Sequence, residues 1–84
     1  MKTNTLILDA LEAINKDDFN SAKELLYKAL YDEPDNFEIY KNIGLCEINL
    51  NNDNEALVAF KRAYELNPDD ATTVYYYACS LSLK

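Results

Sequence analysis

Histidine is absent from this chain, and with it the commonest general base and metal ligand of proteins. A cysteine nucleophile would need such a base, so catalysis is poorly supported and we expect no enzyme. Gly44 is the single glycine, which excludes a glycine-rich phosphate loop, and there are only 2 prolines. So few turn residues disfavour a sandwich or barrel built from many short strands. We expect neither a cofactor nor a metal.

Basic side chains are also scarce, because 8 lysines and arginines stand against 15 aspartates and glutamates, a net charge of −7. Proteins that bind nucleic acids or anionic membrane surfaces place positive charge against phosphate. We therefore expect no nucleic-acid partner and no membrane partner. The tyrosines at 75–77 do not change this expectation. Neighbouring residues of a helix point about 100° apart and cannot form one stacking platform.

Long apolar runs and disulfide motifs are missing as well. No run approaches the roughly 20 apolar residues that a membrane span needs. Near the N-terminus the stretch TLIL is interrupted by Asp9 and Glu12, too early for a signal peptide. Cys46 and Cys79 form no CxxC motif and are expected to be free thiols in a reducing compartment. These observations predict one small soluble domain in the cytoplasm.

The chain does contain an internal repeat. Residues 37–70, placed over residues 3–36, give eight identical pairs. The pairs are Leu11/Leu45, Ile14/Ile48, Asn15/Asn49, Asn20/Asn54, Ala22/Ala56, Ala29/Ala63, Pro34/Pro68 and Asp35/Asp69. The match predicts a single domain of two full repeats, 3–36 and 37–70, followed by a half repeat or capping helix at 71–84.

Each repeat divides into two stretches in which apolar residues recur at helical spacing, so we expect five helices. Clusters of Asp and Asn separate these stretches and lack the ligand spacing of a calcium-binding loop. Such residues end helices in left-handed conformations or cap the next helix. The candidates are Asp18 before the second helix, Asn51 at the end of the third, Asn52 or Asp53 before the fourth, and Asp69 or Asp70 before the fifth.

A helix–turn–helix period of this length and pattern resembles the tetratricopeptide repeat. In the second repeat the signature positions are held by Tyr40, Ile43, Gly44, Glu47, Ala56, Phe60, Ala63 and Pro68. Only Glu47 departs strongly from that signature, and in the degenerate first helix Asp9 replaces a core leucine. The resemblance implies an all-α fold in which antiparallel helix–turn–helix repeats stack into a right-handed superhelix, or α-solenoid.

The resemblance also implies a concave groove, lined by the first helix of each repeat, in which peptides bind. Carried over position by position, the groove would be lined by Ile7, Leu11, Ile14, Lys41, Leu45, Ile48, Asn49, Tyr75 and Cys79. The groove is expected to be apolar and to suit the nonpolar face of a helix or an extended apolar peptide. Alternatively, its residues on the first helix pack against more protein, such as a tail or a second copy.

The last helix is strongly apolar and aromatic, and no following helix covers it. An exposed patch of this kind usually marks an interface. A self-association end is therefore expected at Val74, Tyr76, Tyr77, Leu81 and Leu83. Either the chain is the N-terminal piece of a longer array, or this end is buried against another copy.

These features predict a protein- or peptide-binding adaptor or assembly scaffold. Two alternatives stay open. One is a homo-oligomerisation module that consumes the groove and the apolar end. The other is a non-catalytic regulatory N-terminal domain of a larger enzyme.

Overall fold

The computed structural model describes residues 2–82, which form five α-helices and, within that range, no strand. The helices are α1 Lys2–Asn15, α2 Phe19–Asp32, α3 Phe37–Asn49, α4 Asp53–Leu66 and α5 Ala71–Ser82. The prediction of an all-α helical repeat fold with five helices is confirmed. No helix in the described range is long and apolar enough to cross a membrane.

Each helix packs chiefly against its neighbours in sequence, so the helices follow one another along the stack. The central cluster of buried side chains is rich in alanine. It contains Ala10, Ala22, Leu26, Ala29, Ile39, Ile43, Cys46 and Ala59. Small residues allow helix axes to approach to about 8–10 Å, and larger side chains then fill the space between the alanines.

The turn inside each helical pair has the same conformation. Asp17 has φ 61° and Asn51 has φ 64°, and these two residues lie 34 positions apart. Asp and Asn adopt left-handed conformations more readily than other non-glycine residues, so each can end a helix without glycine. The expected left-handed end of α3 at Asn51 is confirmed.

Side-chain caps begin three of the helices. Asp18 accepts a hydrogen bond from the Ser21 amide at 3.3 Å, which confirms the cap expected before α2. Asp70 accepts from both the amide and the hydroxyl of Thr73, at 2.9 and 2.8 Å, and so caps α5. Both hydrogen bonds lower the pKa of Asp70, and the bond from the Thr73 hydroxyl has the larger effect. The cap of α3 was not expected from the sequence: Asn36 accepts a hydrogen bond from the Glu38 amide at 3.0 Å.

The start of α4 differs from the other capped helices. Asn52 is the N-cap residue of α4, but its side chain makes no capping bond. Its amide nitrogen donates instead to the Glu47 carboxylate at 2.8 Å. Of the two residues expected to cap α4, Asn52 is therefore engaged by the buried carboxylate on α3, and Asp53 is the first residue of the helix.

Candidate functional site

The nine residues expected to line the groove lie on α1, α3 and α5, and none of them is fully buried. Ile7 and Ile14 pack partly against the core and keep part of their surface exposed. Leu45 and Ile48 are half-buried in the same way, and Leu11 is exposed. We refer to these five aliphatic side chains as the aliphatic strip. They are available for contact in the described structure.

The charge on Lys41, next to the aliphatic strip, is compensated within the chain. Its ammonium nitrogen lies 3.8 Å from the Asp70 carboxylate and 5.5 Å from the centre of the Phe37 ring. Asn49 donates its side-chain amide to the Leu45 carbonyl at 2.8 Å, so it is tied to its own helix. The polar members of the predicted groove are thus held by partners from the same chain.

Tyr75 and Cys79 meet on one face of α5, where residues four apart are neighbours. A hydrogen bond with the Cys79 thiol, together with the charge interaction with that thiol, raises the pKa of Tyr75. The Tyr75 ring also meets the Tyr76 ring edge-on, with 5.2 Å between centroids. This contact joins the predicted groove to the next face of α5.

The expected self-association end is only partly open. Val74 and Leu81 are 40% and 53% exposed, whereas Leu83 lies outside the described residues. Tyr76 and Tyr77 differ from the expectation because both are half-buried. Rings of α4 contact them, and so the open surface of α5 is narrower than the sequence indicated.

Aromatic stacking accounts for this difference. Phe60 stacks on Tyr76 with 5.4 Å between centroids and an interplanar angle of 10°, and Tyr64 lies 5.4 Å from Tyr77. Tyr76 and Tyr77 therefore belong to the face of α5 that packs on α4, whereas Val74 lies on the exposed face.

Two polar residues on α5 are buried, which was not expected from the sequence. Thr73 and Ser80 are fully buried, and the Ser80 hydroxyl has no hydrogen-bond partner among the described residues. They lie seven positions apart, which places them on one side of a helix. The position of Thr73 three residues after Asp70, as in a helix cap, is the signal that could have indicated this side.

A buried carboxylate joins three segments of the chain. Glu47 on α3 is 2% exposed. Its Oε1 accepts from Asn52 at 2.8 Å and lies 3.4 Å from the Lys23 ammonium, and its Oε2 accepts from the Tyr27 hydroxyl at 3.4 Å. These contacts link α2, α3 and the turn that leads into α4. They satisfy a charge that would be costly to bury alone.

The same carboxylate affects its neighbours. Several effects raise the pKa of Tyr27. Burial is the largest, and the negative charge of Glu47 and the hydrogen bond to Glu47 add to it. Burial, with a further contribution from Glu47, raises the pKa of Cys46 to about 11. Glu47 was recognised in the sequence only as a departure from the repeat pattern.

The architecture is that of an all-α helical repeat protein. Residues 37–70, which contain α3 and α4, match the family model of the tetratricopeptide repeat. These residues are therefore similar to a tetratricopeptide repeat, and the five helices of the chain are consistent with a repeat protein of this type. Such repeats are generally protein-interaction and scaffold modules and are typically non-catalytic. No curated protein matches the chain.

Proposed function

We propose that the chain is an adaptor or assembly scaffold that binds a protein or peptide through the aliphatic strip of α1 and α3. The observation that carries this proposal is the repetition of accessible aliphatic side chains at equivalent positions. Leu11 recurs as Leu45 and Ile14 as Ile48, and all four retain accessible surface. A repeated strip of this kind offers successive apolar contacts to one extended or helical ligand.

The polar surroundings support an apolar ligand over one recognised by its C-terminal carboxylate. Lys41 is paired with Asp70 and Asn49 with its own helix, so a carboxylate would have to compete with these contacts.

Cys46 and Cys79 are both free, which supports the expectation of a reducing, cytoplasmic location.

The proposal is tested by selecting peptides from a displayed random library on the wild-type protein and measuring the affinity of the selected peptides. Leu45→Asp places a charge in the strip and is expected to weaken binding at least about tenfold, or roughly 1.4 kcal/mol. Leu45→Ser is the milder second variant, in case the aspartate disturbs packing. Leu8→Asp is the matched control, because Leu8 is an exposed leucine of α1 outside the strip.

Circular dichroism establishes that each variant is folded before its affinity is compared. The proposal is wrong if a folded Leu45 variant binds the selected peptides as tightly as the wild type. It is also wrong if Leu8→Asp weakens binding as much as Leu45→Asp does.

Self-association is a second candidate function, favoured by the open side of α5. Val74 and Leu81 are substantially exposed, and Ala78 between them is exposed too. Light scattering over a range of concentrations is expected to show a mass above 9.6 kDa, the mass of one chain. Leu81→Asp is then expected to restore the monomer. A mass of 9.6 kDa at every concentration excludes this function.

A further inference from the structure

A groove lies between α2 and α4, with α3 as its floor. Its volume is about 290 Å³. It is lined by Tyr27, Tyr40, Ile43, Asn54, Glu55, Val58 and Ala59. Ile43 and Leu45 are two positions apart, so they point about 200° apart around α3. The groove therefore lies on the side of α3 opposite the aliphatic strip, and we call it the α2–α4 groove.

The walls of the α2–α4 groove are apolar and held in place. Val58 is 69% exposed, and Tyr27 is also exposed while its hydroxyl donates to the buried Glu47 carboxylate at 3.4 Å. Tyr40 lies under Arg62, whose guanidinium carbon is 6.0 Å from the ring centre. Apolar residues open to solvent beside a fixed tyrosine are typical of a binding surface.

The charge of the α2–α4 groove is one-sided. Glu55 is the only charged residue among the lining side chains. Two basic residues near the groove are paired within the chain, Lys23 with Glu47 at 3.4 Å and Arg62 with Asp35 at 3.2 Å. The chain as a whole carries −7. A ligand for this groove therefore gains from positive charge next to its apolar group.

We propose that the α2–α4 groove is a second docking site, which takes one bulky apolar side chain flanked by Lys or Arg in a partner protein. The apolar group lies on Tyr27 and Val58, and the flanking cation faces Glu55. A volume of 290 Å³ is at the lower end of the range for ligand sites, which suits one large side chain better than a long peptide. This site is independent of the function proposed for the aliphatic strip.

The chain contains no tryptophan, so a tryptophan in a peptide probe reports on its own environment. The probe is acetyl-Arg-Trp-Arg-amide, titrated with the full chain while tryptophan emission is recorded. We expect saturable binding with a blue shift of the emission. Acetyl-Glu-Trp-Glu-amide, which has the same aromatic group and the opposite charge, is expected to bind at least about tenfold more weakly, since like charges oppose each other.

Two pairs of variants assign the binding to the groove. Val58→Arg is expected to weaken binding at least about tenfold. Its matched control, Leu8→Arg, introduces the same charge at an exposed leucine of α1, 66% against 69% exposed, and is expected to have little effect. Glu55→Gln is expected to weaken binding about two- to fivefold, as for an exposed ion pair, whereas Glu12→Gln on α1 makes the same change in net charge without this effect.

The absence of saturable binding, or equal binding of the two peptides, overturns the proposal. It is also overturned if Leu45→Asp abolishes binding while Val58→Arg preserves it, because the peptide then occupies the aliphatic strip. That last result would support the function proposed above, so the two proposals fail separately.

Discussion

The contact between Gly44 and Phe60 makes the sharpest prediction about the packing of this chain. A Cβ atom at position 44 would lie 2.6 Å from the Phe60 Cζ and 2.7 Å from the Cε1 and Cε2 atoms of that ring. Carbon atoms pack at about 3.5–4.0 Å, so Gly44→Ala requires the ring to retreat by about 1 Å. Phe60 is fully buried and stacks on Tyr76, and so it has no open space into which to move.

Two opposing effects decide the sign of this substitution. Alanine favours a helix over glycine by about 1 kcal/mol. Forcing an extra carbon into a packed core costs about 1–3 kcal/mol, and disturbing an aromatic pair costs about 0.5–1.5 kcal/mol more. We expect Gly44→Ala to lower the free energy of unfolding by about 1–3 kcal/mol. At about 4–8 °C per kcal/mol, the corresponding loss in Tm is about 5–20 °C for a domain of this size.

The assay is urea unfolding followed by circular dichroism, for Gly44→Ala alone and in a Phe60→Leu background. The first repeat natively has Ala10 and Leu26 at the equivalent positions, and both are fully buried. The double variant reproduces that pair in the second repeat. In the Phe60→Leu background, alanine at 44 is therefore expected to be neutral or to stabilise by up to about 1 kcal/mol. If Gly44→Ala alone stabilises the protein, the steric reasoning is wrong.

Three further predictions concern titratable groups. Hydrogen bonds from the Thr73 hydroxyl and amide lower the pKa of Asp70 in the folded protein. Asp70 therefore stabilises the fold above the usual aspartate pKa of about 3.9, and this contribution is lost as the pH falls through the lower folded value. Asp70→Asn should therefore reduce the pH dependence of urea unfolding below about pH 4, and an unchanged profile would contradict this. Iodoacetamide should alkylate Cys79 before Cys46 in the native protein, because Cys46 is buried with its pKa raised to about 11. Mass spectrometry measures the two alkylation rates, and equal rates would contradict this prediction. Glu47→Gln leaves three donors with a single amide oxygen and should lower the urea-unfolding free energy by about 1–3 kcal/mol, and an unchanged midpoint would show that the buried contacts contribute little.

The backbone of the chain was the most predictable part, because the repeat transfers local structure from one unit to the next. Asn51 was expected to end α3 in a left-handed conformation, and it does so with φ 64°. Asp17, its equivalent 34 residues earlier, behaves in the same way. These conformations depend on neighbouring residues alone, so a local pattern is sufficient to indicate them.

The contacts of Glu47 could not be predicted in this way. Its partners Lys23 and Tyr27 lie 24 and 20 residues away on another helix. No periodicity in the sequence indicates that these side chains converge, and the repeat pattern marks Glu47 only as a residue that departs from it. The α2–α4 groove escaped detection for the same reason, since its walls come from helices that are not neighbours in sequence.

The faces of α5 show a different limit. Apolar spacing places Val74, Tyr77, Ala78 and Leu81 on one face; Val74, Ala78 and Leu81 are exposed, whereas Tyr77 is half-buried. Thr73 and Ser80 are buried instead. Burial of a face depends on which helix covers it, and α4 is the main packing partner of α5 in the described structure. A polar residue can therefore be buried beside a partner while apolar residues remain open.

The equivalent positions in the repeat also restrict what can cover α5. Ala10 is paired with Leu26 on the following helix, and Gly44 is paired with Phe60. The smaller of the two first-helix residues, glycine, thus occurs with the larger of the two second-helix residues, phenylalanine. The contact of the Phe60 ring with Gly44 leaves no room for a Cβ atom, so we expect that the two pairs cannot be interchanged one residue at a time. Ala78 is the third member of this series. By the same steric reasoning, a helix that covers α5 as α2 covers α1 is expected to place a side chain of leucine size over Ala78, because a phenylalanine in that position would meet the alanine Cβ atom as it would at position 44.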